Sequence, residues 1–104
     1  QTEFYLIFEQ QVKRCEETLL NKAKEYTGNS PDRLSAFKTA AALQECTPER
    51  ALAGMMAKHI ISIYDMCFSE QADYDQSIWN EKITDTLNYL FLLNALVREE
   101  GNHE

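Results

Sequence analysis

Lys58, Ser62 and Asp65 fall at positions i, i+4 and i+7 of a stretch patterned as a helix, which stacks them in one row. Glu81, Asp85 and Asn88 form a second row with the same spacing, and Lys82 and Tyr89 lie to one side of it. Small residues near the first row, Ala51 and Gly54, leave space for a ligand to approach the backbone. The chemistry such rows allow is that of a phosphate compound held with a hard cation. Glu81 and Asp85, one turn apart, can share a Mg²⁺ ion through carboxylate oxygens. Arg33, Lys58 and Lys82 can neutralise phosphate oxygens, Asp65 can orient or activate water, and Ser62, Asn88 and Tyr89 can complete the ligand's hydrogen bonds. All of this requires the two rows to face each other across a groove, within one chain or between subunits. The plainer alternative is two solvated helix faces carrying ordinary i, i+4 pairs, and spacing alone favours it.

Other chemistries have less to work with. His59 is turned toward Leu52, Met56 and Ile63 and reads as a core histidine with a satisfied hydrogen bond. No second histidine stands at ligand spacing, and His103 lies in an acidic tail. Cys15, Cys46 and Cys67 are odd in number and far apart, which suits neither a disulfide framework nor a zinc cluster. They read as small buried side chains of a protein in a reducing compartment, the cytoplasm. There is no glycine-rich phosphate loop. A net charge of −7 and the lack of any basic run argue against nucleic acid as a partner. A single nucleotide is a different case, because one or two basic groups and a metal ion suffice for it. The most apolar stretch, Tyr89 to Leu93, is too short for a bilayer, and no signal-peptide pattern is present, so no membrane partner is expected.

The elements that must position these residues are helical. With 104 residues the chain fits one domain, and three glycines and two prolines are too few for a turn-rich β fold. Phe4, Phe8, Val12, Cys15, Leu19, Ala23 and Tyr26 predict a first helix over 2–26. Gly28 lies just past its end, in the Thr27-Gly28-Asn29 stop. Ser30-Pro31-Asp32 and Thr47-Pro48-Glu49 repeat one start signal: a capping hydroxyl, proline in the first turn, then an acid. They predict helices over 31–45 and 48–67, the latter with Leu52, Met56, Ile60, Ile63 and Cys67 facing inward. Ser77 can cap a last helix over 77–99, with Trp79, Ile83, Leu87, Leu90 and Val97 as its inner stripe. The run Tyr89 to Leu93 is apolar around the whole circumference, and three partner helices can hardly cover it. The expected architecture is therefore an all-α, four-helix bundle-like domain completed by a homo-oligomer.

On the fourth helix, Trp-Asn-Glu-Lys-Ile-Thr-Asp-Thr-Leu-Asn-Tyr-Leu (79–90) resembles the second signature of the MazG-like all-α nucleotide pyrophosphohydrolases. That signature reads Glu-Glu-x-x-Asp before an apolar run. Glu81 matches its first acid, Asp85 its aspartate and Tyr89 a tyrosine often found four residues later. The stretch from Lys24-Glu25-Tyr26 through Arg33, Phe37 and Lys58-His59 resembles small phage and prophage proteins of a nucleotide-modification-associated family. The resemblance implies a dimeric or tetrameric bundle that binds nucleoside triphosphates with Mg²⁺ and releases pyrophosphate by water attack at the α phosphorus. Two positions depart from the pattern. Lys82 replaces the second glutamate, and the Glu-Glu-x-x-Glu of the preceding helix is absent, the region reading Lys58-His59-Ile60-Ile61-Ser62. The expectation is thus a phage-type MazG-like protein that binds a nucleotide or related phosphate compound, with hydrolysis left open. Its rival is a non-enzymatic oligomer that works through protein–protein contacts.

Overall fold

The computed structural model describes residues 2–26, 33–69 and 74–101, and side chains for 2–21, 33–69 and 74–99. It is all-α: α1 (Thr2–Tyr26), α2 (Ser35–Gln44), α3 (Pro48–Phe68) and α4 (Gln76–Gly101). Thr47 opens α3 as its sequence suggests, with Oγ1 accepting a hydrogen bond from the Arg50 amide at 3.2 Å and Pro48 in the first turn. The start of α2 differs from the expected one. Ser30 and Pro31 lie outside the described residues, and the helix begins at Ser35, with Leu34 at the cap position and no side-chain capping bond. Its end is closed by Glu45 in the left-handed conformation (φ 54°), while Glu45 N and Cys46 N donate to the Ala42 and Ala41 carbonyls. Ser77 does not cap α4. The Asp75 carbonyl accepts from Ile78 N and Trp79 N, so the helix starts one residue earlier and Ser77 lies inside it.

Helix α4 is the spine of the bundle, packing against α1 and α3, while α2 packs on α3. Gln11 Nε2 donates to Thr84 Oγ1 at 2.9 Å, and one span further along both chains Leu19 and Leu92 line the same cavity. Helices α1 and α4 therefore run in the same direction. The His59 ring meets that of Tyr89, and Leu52 and Leu96 share one cluster, so α3 runs antiparallel to α4. Leu34, Phe37, Leu52 and Leu96 form the buried core, with Met55, Met56, Tyr89, Leu92 and Leu93 packed against it. Leu52 and Leu96 are completely enclosed. This core sits where α2 adds a fourth helix. At the other end of α4, among the described residues, α1 and α3 accompany it.

The inner faces are rotated from those expected. Leu90 and Val97 are exposed, and the buried line of α4 runs through Thr84, Asn88 and Leu96. On α3, Met66 is buried while Ile60 and Cys67 are exposed. On α1, Cys15 is buried but Phe4, Phe8 and Val12 are exposed. Hydropathy pointed elsewhere because two polar residues, Thr84 and Asn88, occupy the middle of the α4 seam. A periodicity of apolar residues alone assigns that seam to the neighbouring Leu87 and Leu90.

A candidate ligand cavity

All four helices contribute to one cavity of about 320 Å³. This lies near the lower end of the range of ~300–1,000 Å³ usual for small-molecule sites. Its apolar wall comes from Leu19 of α1, Ala36 and Phe37 of α2, Met55 of α3 and Leu92 of α4. Its polar groups are Arg33 and Ser35 at the start of α2, His59 of α3, and Asp85, Asn88 and Tyr89 of α4. Asp85 and Asn88 reach the wall together because three residues turn an α-helix by nearly one revolution, and Tyr89 extends the same face. Aromatic rings flank the site. His59 and Tyr89 have centroids 5.2 Å apart, and Phe37 meets Tyr89 edge-on at 6.4 Å.

The most informative side chain is Asn88. It is 6% exposed, and neither its Nδ2 nor its Oδ1 has a hydrogen-bond partner among the described residues. Buried His59 Nδ1 is in the same position. Satisfying buried polar atoms is close to a rule, and leaving one unpaired costs about 1–3 kcal/mol. The three atoms belong to two residues of one cavity lining, and in the free protein each has almost no surface of its own open to a water-sized molecule. His59 is therefore not the satisfied core histidine of the sequence reading.

The two polar rows contribute unequally. From the α4 row, Asp85 and Asn88 line the cavity together with Tyr89, and Arg33 joins them from the turn before α2. Glu81 is exposed and lies off the cavity, as does half-buried Lys82, whose carbonyl accepts the Thr86 hydroxyl at 2.8 Å. The α3 row of Lys58, Ser62 and Asp65 does not line the cavity either; Lys58 and Asp65 are exposed. Helix α3 presents His59 there, one residue and about 100° round from Lys58. His59, Phe37 and Leu19 were legible as apolar-face positions, but nothing in their spacing marked them as ligand contacts. Of the pair proposed for Mg²⁺, Asp85 lines the cavity and Glu81 does not; among the described residues no group of three or more His, Cys, Asp or Glu side chains could hold a metal ion. Asp85 is the one described carboxylate on the wall.

Comparison with protein-family models, curated proteins and solved structures finds no match to this chain. The functional reading therefore rests on the chemistry of the cavity. No helix among the described residues is long and apolar enough to cross a membrane.

Proposed function

We propose that this protein binds a nucleotide, or a related phosphate compound, in the cavity between its four helices. The observation that carries the reading is Asn88, a residue of the cavity lining whose amide donor and acceptor have no partner among the described residues and which a rotation of the side chain would offer to a ligand. An amide offers that pair of groups in the geometry that matches a nucleobase edge, as asparagine does with adenine. His59 Nδ1 adds a third position for a hydrogen bond, and the rings of Phe37 and Tyr89 offer apolar faces to a planar ligand. Arg33 supplies the fork of donors suited to a phosphate.

The MazG-like resemblance extends this reading to hydrolysis of a nucleoside triphosphate. With Glu81 and Asp65 exposed and off the cavity, the form proposed is binding without a dedicated metal pair. A cytoplasmic location goes with it, in keeping with three free cysteines. A panel of nucleoside mono-, di- and triphosphates, with and without Mg²⁺, tests the proposal by thermal shift and by product analysis. At least one member should raise the melting temperature, since a ligand at 100 times its Kd stabilises by about 2.7 kcal/mol. A panel that produces neither shift nor turnover removes the reading.

A further inference from the structure

Asp85 stands three residues before Asn88 on α4, and both line the cavity. Three residues make nearly one helical turn and a rise of about 4.5 Å, close to the span of a base's hydrogen-bonding edge. The wall therefore sets an amide and a carboxylate side by side. The amide holds a donor and an acceptor, both without a partner among the described residues, whereas an ionised carboxylate holds acceptors alone. Asp85 already has an interaction in the free protein. Its two oxygens, with about four lone-pair sites between them, accept further hydrogen bonds beside it.

Such a pair discriminates among bases read on their Watson–Crick edges. Guanine presents an acceptor, O6, followed by two donors, N1–H and the N2 amino group. Uracil presents acceptor, donor, acceptor. Cytosine presents donor, acceptor, acceptor, and adenine a donor and an acceptor with only a C–H in third place. The Asn88 amide meets the first two positions of any of them, because turning it over exchanges Nδ2 and Oδ1. The third position is where a carboxylate decides. It accepts from the N2 amino group of guanine, faces the O2 carbonyl of uracil or cytosine with repulsion, and gains nothing from adenine. Attraction to one base and repulsion of others together make specificity.

Charge fixes which way such a ligand lies. Arg33, in the turn before α2, is the described lining residue with a guanidinium, and Asp85 is the one with a carboxylate. A phosphate is drawn to the first and repelled by the second, which leaves the base end of the ligand for Asp85. We infer that this base is guanine, with O6 and N1–H held by Asn88 and the N2 amino group by Asp85, an assignment that rests on the nucleotide binding proposed for this cavity. Asp85 is then the residue that sets base choice, and Arg33 receives the phosphate.

Calorimetric titration with GMP, IMP, AMP, UMP and CMP tests it. GMP and IMP differ only in the N2 amino group, so their ratio isolates the contact with Asp85 without any change to the protein. Wild type should bind GMP about tenfold or more tightly than IMP and than each of the other three. In Asp85→Asn, with folding checked by circular dichroism, the new amide can turn its donor to the O2 of uracil. The preference for GMP over UMP should then fall by about tenfold or more. Equal affinities for GMP and IMP, tighter binding of any of the other four, or an unchanged preference in folded Asp85→Asn overturns the guanine assignment and leaves nucleotide binding standing. Binding of none of the five overturns it too, and the di- and triphosphates then decide whether nucleotide binding falls with it.

Discussion

The His59 and Tyr89 rings meet across the α3–α4 seam, 5.2 Å between centroids and inclined at 46°. Tyr89 also meets Phe37 of α2 edge-on, so one residue ties three helices together beside the cavity. Aromatic pairs contribute about 0.5–1.5 kcal/mol each beyond burial. Tyr89→Leu, which keeps much of the apolar volume, should therefore lower unfolding free energy by about 1–3 kcal/mol in urea denaturation. A change within 0.5 kcal/mol would mean the ring contacts add nothing to packing.

Asn88 makes the opposite prediction. An amide that is buried and unpaired in the free protein burdens it, and Asn88→Leu substitutes an apolar group of similar size. Free protein carrying Asn88→Leu should melt higher than wild type, the gain being on the order of 1–2 kcal/mol. Differential scanning calorimetry without ligand measures this. A lower melting temperature would show that Asn88 contributes to the fold.

Gln11 and Thr84 make a side-chain hydrogen bond that joins α1 to α4, at 2.9 Å, with Thr84 buried. Thr84→Val leaves Gln11 Nε2 donating to the weaker acceptor Cys15 Sγ at 3.4 Å and should destabilise by about 1 kcal/mol. In a double-mutant cycle with Gln11→Leu the coupling should be about 0.5–1.5 kcal/mol. A coupling of zero would remove this bond as the clamp on α1.

Glu45 ends α2 with φ 54°, in the left-handed region that costs a residue with a Cβ atom about 1–2 kcal/mol. Glu45→Gly should stabilise the chain by roughly 0.5–1 kcal/mol, net of glycine's greater freedom when unfolded. Equilibrium unfolding that shows a loss would contradict the closure described for this turn.

These residues also show how far the sequence could be read. The four helices were legible because their signals are local: Thr47 and Pro48 begin α3 wherever it packs, and long 3.6-residue periodicities identify α1 and α4. The seam of α4 was not legible. Thr84 and Asn88 are polar, so a pattern of apolar residues passes over them and selects Leu90 and Val97, which are exposed. Part of the candidate site was legible: spacing put Asp85, Asn88 and Tyr89 on one side of α4, and they line one cavity with Arg33. Lys58, Ser62 and Asp65 share a row on α3, but a row carries no information about which way its helix is turned. That angle is set by packing of Met55, His59 and Met66, and it takes the row off the cavity. The apolar row of α1 was legible as a helix, yet its Phe4, Phe8 and Val12 are exposed, because periodicity marks a face without saying what packs on it.

The central claim is that the cavity takes a nucleotide whose base edge pairs with Asn88, and calorimetric titration tests it most directly. Wild type and Asn88→Leu are titrated with the nucleotide that stabilises the protein most. Wild type should bind one nucleotide per chain, and the variant, although at least as stable, should bind it ten- to a hundredfold more weakly, the loss expected for about 1.4–2.8 kcal/mol. Equal affinity in the two proteins, or no heat of binding to the wild type at millimolar nucleotide, would contradict the account.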